Sequence, residues 1–380
     1  MRNSLASMSA ADRLEVVIAG GGVAACEAAL ALRDLAGERV ALKLLAPNQE
    51  FSYRPTTVRE PFGYTPAEHF PLAELADEVG AELIAAEFGW VDAAKRLAYT
   101  ASGVEISYDA LVLALGGRIK EPFAHVVTID DRRMDDLLHG VVQDVEEGYV
   151  KSVAFVAPER LAWPLPLCEL ALMTAARAYD MGVKVELTLV TPEPSPLAVF
   201  GSQASAAVAR LLADAGVQTV TSAHVQVVDA GEVQIQPGDR SLRADRIIAL
   251  PELFGPAVRG LPAGAHGFIP VDRHCKVRGV EGIWAAGDAI DFDVKHGGLA
   301  AQQADAAAEA VAALAGASLT PAPFQAEIRG MLLTGRKPRY LTARLSGSKG
   351  FSSQITDEPT WSPVAKISAR YLAPYLAAHD

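Results

Sequence analysis

Apolar residues along the chain gather in short runs that stop at glycine or proline and pass into longer stretches rich in Ala and Leu. The first run, Leu14-Glu15-Val16-Val17-Ile18-Ala19, ends in Gly20-Gly21-Gly22 and continues as Val23 to Leu35, which predicts a strand, a glycine turn and a helix. A second run, Val40 to Leu45, stops at Pro47-Asn48 and completes a βαβ unit of the length a parallel crossover needs. Leu111 to Leu115 predicts a further buried strand running into Gly116-Gly117. A similar order restarts at Ser152 to Val156, continues through a helical stretch from Glu169 to Met181 and reaches a strand at Val185 to Val190. Gly282 to Asp288 reads as a buried strand ending in a glycine turn, followed by a long helix from about Gly298 to Ala315. Beyond Thr320-Pro321-Ala322-Pro323 the composition turns basic and aromatic, which marks a separate C-terminal segment.

Composition narrows the classes. A chain of 380 residues and 40.1 kDa has room for two or more domains. With 50% hydrophobic and 21% charged residues it buries enough apolar surface to exclude disorder. The formal charge of −12 has the wrong sign for neutralising phosphate backbones, so nucleic acid is not expected as a partner. Cys26, Cys168 and Cys275 form no CxxC pair, which argues against a zinc knuckle, a metal centre or a sequence-local redox dithiol. Met1 to Asp12 lacks the apolar core of a secretory signal, and Gln302, Gln303, Asp305 and Glu309 interrupt the Ala-rich stretch Leu299 to Ala317. These features predict a cytoplasmic protein with reduced thiols.

Gly20-Gly21-Gly22-Val23-Ala24-Ala25 is a G-x-G-x-x-A fingerprint between a predicted strand and helix. Gly20 allows the tight turn, Gly22 lets backbone approach a pyrophosphate, Ala25 lets helix and sheet pack closely, and the helix start at Val23 and Ala24 faces the phosphates. No acid follows at the end of the second strand, Leu45-Ala46-Pro47-Asn48-Gln49-Glu50, where Asn48 or Glu50 is the candidate substitute for holding a ribose.

Three separated motifs resemble the FAD-dependent pyridine nucleotide–disulfide oxidoreductase superfamily. The fingerprint comes first. Tyr108 to Gly117 then resembles the family's central "YDxLVxATG" element, with Ala114, Leu115 and Gly116 in its last positions and Leu115 in place of Thr. Gly282 to Asp288, followed by Lys295-His296-Gly297-Gly298-Leu299, resembles the second FAD element, in which Gly287 and Asp288 approach the ribityl or phosphate portion. Phe51-Ser52-Tyr53-Arg54-Pro55 and the Lys-x-Gly-Gly run look most like the sulfide:quinone oxidoreductase and type II NADH dehydrogenase branch. The resemblance implies FAD, electron transfer as activity, a small-molecule donor and acceptor with a quinone among the candidates, and cofactor contacts that include Tyr53, Arg54, Pro55, Lys295, Gly298 and Leu299. The predicted fold is therefore α/β, with two Rossmann-like three-layer domains and a small C-terminal segment. Residues 13–120 and 269–320 form the FAD-binding domain, 121–268 the second dinucleotide-type domain and 321–380 a cap or interface.

The reacting residues are read with their plainer alternatives. Asp288 at a strand's C-terminal end is a ligand contact or a turn carboxylate. A helix starting near Gly298 would aim its amides at whatever lies ahead, favouring an anionic reduced flavin there. Lys295 adds to that field or is solvated in its loop, His296 is a candidate proton relay, and Gln302 and Gln303 meet flavin carbonyls or lie on the helix surface. Glu169 matches the family's "VELA" glutamate, either a proton carrier or a first-turn residue stabilising its own helix. Trp163 stands near the position of the reactive cysteine in sulfide-oxidising relatives. Cys168, Cys26 and Cys275, the last in an apparent strand from Arg273 to Val277, read as structural.

After Ser152 to Val156 the turn Ala157-Pro158-Glu159-Arg160-Leu161-Ala162-Trp163-Pro164-Leu165-Pro166 contains no glycine. Three prolines remove amide donors, so the NAD(P) fingerprint is lost and only the Arg160 side chain remains to meet a phosphate. Near the C-terminus Ile367, Tyr371, Leu372 and Tyr375 follow helical spacing with Lys366 and Arg370 alongside, which predicts a surface helix packed on the protein, on a partner copy or on a membrane surface. The function predicted is FAD-dependent electron transfer from an unidentified donor to a quinone-like or protein acceptor. The alternatives are NAD(P)H oxidation at an atypical site and a non-catalytic FAD-binding scaffold.

Overall fold

The computed structural model describes residues 13–64, 66–347 and 349–379, so the signal-peptide question at Met1 to Asp12 lies outside the described residues. Near-continuous apolar runs become strands buried on both faces, as a parallel sheet requires. The first sheet is all parallel, in the order Ile283–Ala285, Ala110–Leu113, Leu14–Ala19, Val40–Ala46, Ala81–Ala85. Successive side chains alternate between faces. Val16, Ile18 and Leu44 pack under helices α1 (Val23–Ala36), α2 (Leu72–Val79) and α6 (Gly297–Leu314), while Val17, Leu45 and Leu113 pack on an antiparallel sheet, Phe88–Asp92, Leu97–Thr100 and Glu105–Ser107. Alanines on α1 and α6 let these two helices approach closely over the sheet.

The second sheet repeats the plan. Its parallel order is Val127–Thr128, Arg246–Ala249, Ser152–Val156, Glu186–Val190, Val217–Val220. Phe155, Leu187 and Ile248 lie under α3 (Met134–Glu146), α4 (Leu165–Asp180) and α5 (Ser202–Asp214). Ala154, Val156 and Val190 lie on a second antiparallel sheet, His224–Asp229, Glu232–Gln236 and Arg240–Arg243. The chain crosses between the sheets along an antiparallel pair, Arg118–Lys120 with Glu252–Phe254. Both units are thus helix, sheet and small sheet in three layers, the predicted α/β class.

Several expectations need correction. The strand expected to reach Leu115 stops at Leu113, and α4 begins at Leu165 rather than Glu169, because Pro164 and Pro166 fall where amide donors are dispensable. Cys275 is not in a strand: it has φ +60 in a turn flanked by isolated bridges. Residues 321–380 carry an antiparallel sheet that no apolar run announces, Glu327–Leu332, Arg339–Ser346 and Lys349–Thr356. The expected helix from Ile367 starts only at Leu372 (α7, Leu372–Ala378). Its would-be first turns are instead irregular bends, because their amides leave the local chain: Ile367 donates to the Tyr53 hydroxyl, and Arg370, Tyr371 and Leu372 all donate to Glu27. Among the described residues no helix is long and apolar enough to cross a membrane.

Candidate cofactor site

The three motifs meet at the C-terminal edge of the first sheet, where open α/β sheets bind ligands. Gly20 has φ +134, and a Cβ there would stand 2.2 Å from the Ala114 carbonyl oxygen, so only glycine fits. The turn is tied down by Gly20 N–H donating to Leu45 O at 2.8 Å and by Ala114 N–H donating to Ala19 O at 2.8 Å. Gly22 differs: a Cβ there would meet nothing within 4 Å. No side chain caps α1, so amides of its first turn face this open space beside Gly22. Ala25 is fully buried and presses the helix onto the sheet.

From the other side, Gly287 (φ +76) packs between the starts of two helices, with its Cβ position 3.4 Å from both Ala24 and Ala300. Its N–H donates to Gln303 Oε1 at 2.9 Å. Gly117 lies against Asp288, 3.6 Å from its Cβ, and against Leu253 of the crossing strand. Asp288 stands at the floor of a cleft, surrounded by protein yet partly accessible. Burial pushes its carboxyl above the usual range, while the Lys295 ammonium and Arg54 pull it back. Lys295 is buried rather than solvated in its loop: it donates to Ile290 O, stands 3.9 Å over the Phe268 ring, and desolvation lowers it to about 8.

The loop after the second strand closes the cleft. Tyr53 is buried, its hydroxyl accepting the Ile367 N–H at 2.8 Å, and burial raises it to about 12. Arg54 reaches across to Asp131, 3.6 Å away in the second unit, and the Pro55 carbonyl accepts from Lys366 at 2.9 Å. Asn48 and Glu50 both lie exposed beyond the strand end.

His296 occupies the N-cap position of α6, its ring 4.5 Å from that of Trp163, and burial followed by the Lys366 charge lowers it to about 4. The start of α6 is partly covered by the protein itself: Gly297 lies against Ile367, and Gly298 against the His296 ring and the Ser368 carbonyl. Leu299 is buried in the second unit's core, and Gln302 pairs with both backbone groups of Glu327 instead of facing a ligand. Glu169 is one turn inside α4, so it does not serve its own helix start. It is 1% exposed and bound by Lys366 Nζ at 2.7 Å and by Leu333 N–H at 2.9 Å. Lys366, expected on a helix surface, is thus part of the site. Its lysine-between-apolar pattern resembles a polar helix edge, and nothing local reveals a partner 197 residues away.

The turn at the second sheet is built without glycine. Arg160 lies 4.2 Å over the Phe254 ring with its Nε 3.5 Å from Glu252, so it is engaged within the protein. Glu193, just past the strand Glu186–Val190, turns inward and accepts from the amides of Leu197 and Ala198, with burial raising it to about 7. The turn it caps is roofed by the C-terminal sheet. Phe200 is fully buried with a Cβ at Gly330 only 2.6 Å from its ring, and Trp163 lies 5.7 Å from the same ring. All three cysteines are buried. Desolvation pushes Cys26 and Cys275 to about 12 and Cys168 well above the usual thiol range, so none is poised as a thiolate.

A glycine turn open at a helix start, an acid at the edge of the same sheet and a second sheet of matching order give a fold of two Rossmann-like units. The family model described as pyridine nucleotide-disulphide oxidoreductase matches residues 168–312. The chain is 28% identical over 298 residues to an NADH dehydrogenase-like protein of Mycobacterium tuberculosis, covering 74% of each. It is also similar in structure to the sulfide:quinone oxidoreductase of Aquifex aeolicus, with TM-score 0.78, 19% identity and coverage of 90% of this chain and 87% of that one. A ferredoxin reductase from Rhodopseudomonas palustris aligns with TM-score 0.68 and 20% identity over 87% of this chain and 82% of that one. Residues 168–312 thus resemble the pyridine nucleotide-disulphide oxidoreductase family, and the whole chain shares the fold of these two-domain reductases.

Proposed function

We propose that this protein is an FAD-dependent oxidoreductase that passes electrons from a donor other than a nicotinamide nucleotide to a quinone-like or protein acceptor. The observation that carries this reading is the contrast at Gly22: its missing Cβ leaves a cradle beside free helix-start amides, while the equivalent place on the second sheet is filled by Phe200, Trp163 and three prolines. The residues that fit FAD are Gly20, Gly22, Val23 and Ala24 at the first helix, Ala114 to Gly116 at the central strand, Gly287 and Asp288 on the cleft floor, and Tyr53 to Pro55 along its side. When bound there, the flavin supplies the capacity to take up and release electrons.

The chain's own residues handle protons. Reduction of a quinone-like acceptor by two electrons takes up two protons. Lys295, at about 8, holds an exchangeable proton on Nζ near neutral pH, beside Asp288. His296 is neutral, and a neutral imidazole can accept a proton on one nitrogen while releasing it from the other. The names of the similar proteins above speak of sulfide and quinone and of ferredoxin, which supports both acceptor classes, and of NADH, which favours the alternative of NAD(P)H as donor.

An anaerobic absorption titration tests the proposal. The purified protein is expected to show a flavin band that neither NADH nor NADPH bleaches within minutes. Stoichiometric rapid bleaching would restore the NAD(P)H alternative, and a protein that neither retains nor binds FAD would end the proposal.

A further inference from the structure

The stretch from Lys366 to Tyr371 forms no helix or strand of its own, yet it is tied down at both ends. Lys366 donates to Pro55 O at 2.9 Å, and Ile367 N–H to the Tyr53 hydroxyl at 2.8 Å. The far end is held by a single side chain: Glu27 Oε1 accepts from Arg370 N–H at 2.7 Å and Tyr371 N–H at 2.9 Å, and its Oε2 accepts from Leu372 N–H. Between these anchors Ile367 lies against Gly297 and the Ser368 carbonyl against Gly298, over the start of α6.

The anchor at Glu27 contains a second acid. Asp305 on α6 makes a side-chain hydrogen bond with the Glu27 carboxyl, and no backbone or side-chain donor among the described residues reaches its buried Oδ1. Two carboxyls in such contact do not both ionise, so the hydrogen bond between them needs a proton. Three backbone amides favour the charged form of Glu27, which leaves that proton on Asp305. Around the pair stand the buried Cys26 thiol, Asp34 bound by the Tyr371 hydroxyl at 3.2 Å, and Glu309, which faces the Arg370 guanidinium at 3.8 Å. Arg370, the cation on this side, is thus directed to Glu309. An Ala-rich helix pair gains no stability from two facing acids, because a second buried charge is costly.

We propose that residues 366–372 are a latch across the start of α6, and that Glu27 and Asp305 are its pH-sensitive catch, closed while they share a proton and released when that proton leaves to solvent. For what the latch covers, this rests on the reading that the start of α6 borders the electron-transfer site. Burial, followed by the Glu27 charge, holds the Asp305 carboxyl above its usual range. In the open form water reaches both acids, so the closed form binds the proton more tightly. Closure therefore weakens by up to about tenfold per unit of rising pH until the closed form has lost the proton as well. Opening lifts Ile367 and Ser368 from Gly297 and Gly298 and bares the amides of the first turn of α6.

Hydrogen exchange of the full chain tests this, with the protection of the Arg370, Tyr371 and Leu372 amides referred to that of the core strand Leu14–Ala19, and with flavin content measured on the same samples. Between about pH 6 and about pH 9 the wild-type ratio is expected to fall about tenfold or more. Asp305→Asn puts a permanent donor beside Glu27 and is expected to keep the ratio within about twofold over the same range. A wild-type ratio that does not change with pH would overturn the proposal, whatever the variant does. An equal fall in Asp305→Asn would overturn it too, because the titrating group would then lie elsewhere. Should Asp305→Asn fail to fold, Asp305→Ser, which is smaller and also carries a donor, takes its place with the same expected result. Absence of flavin from the wild-type samples would refute the functional reading while leaving the exchange comparison readable.

Discussion

At the edge of the first sheet the chain turns through Gly20 to Gly22 with open space beside Gly22, whereas at the same edge of the second sheet it turns through Ala157 to Pro166 with Trp163 against Phe200, which the C-terminal sheet covers. The strands behind the two turns are alike in order, direction and burial. Layered architecture therefore depends on the apolar strands and the helices over them, and survives a complete change of turn chemistry. The turn answers to a different demand, that of whatever lies in front of it. The strand ends carry the same contrast: Asn48 is exposed beside the first turn, while Glu193, past the matching strand of the second unit, is engaged by amides of its own chain.

This comparison can be broken most directly at Gly20. Gly20→Val puts a side chain into the Ala114 carbonyl at a φ that L residues avoid, and is expected to abolish flavin retention as read by the visible absorbance of the purified protein. Ala157→Gly in the second turn is expected to confer no NADH response, because the prolines and the roof remain. Glu193 sharpens the comparison through pH. Its folded value of about 7 lies above its ordinary 4.5, so the folded state binds the extra proton between these values. The stability it contributes is full below about 4.5 and lost as pH rises to about 7. Chemical denaturation should show the wild type losing up to about 3 kcal/mol relative to Glu193→Gln across that window. The smallest effect is expected at the link between the units: Arg54 and Asp131 are 38% and 54% exposed, so Arg54→Ala should cost under about 1 kcal/mol in the same assay.

Much of the first unit was legible because its signals are local. Leu14 to Leu35 contains a strand, its glycine turn and its helix within one window, and each residue's role depends on its immediate neighbours. The glycine-free second turn is likewise a local feature, since prolines remove donors wherever the chain goes. Lys366 was not, because its meaning is a contact with Glu169 across most of the chain, and the same residues read along the sequence make a plausible helix edge. The C-terminal strands were hidden differently. Glu327 to Leu332 does alternate between half-buried and buried positions, yet Gly330 and the polar residues around it gave no apolar run, and the glycine is there to admit Phe200. The amides of residues 367 to 372 likewise leave the expected helix for partners that no local pattern announces.

Glu27, fully buried on the helix that follows the glycine turn, has its carboxylate taken by the amides of Arg370, Tyr371 and Leu372, 343 to 345 residues further along. During synthesis the first helix emerges hundreds of residues before those amides exist, and a ribosome adds only about 5–20 residues per second. Until then Glu27 lacks the three amides that hold it, and only Asp305 on α6 reaches its carboxyl before them. Completion of the first unit thus waits on residues 370 to 372, and a product truncated before residue 370 would be marked by a defect far upstream in its sequence.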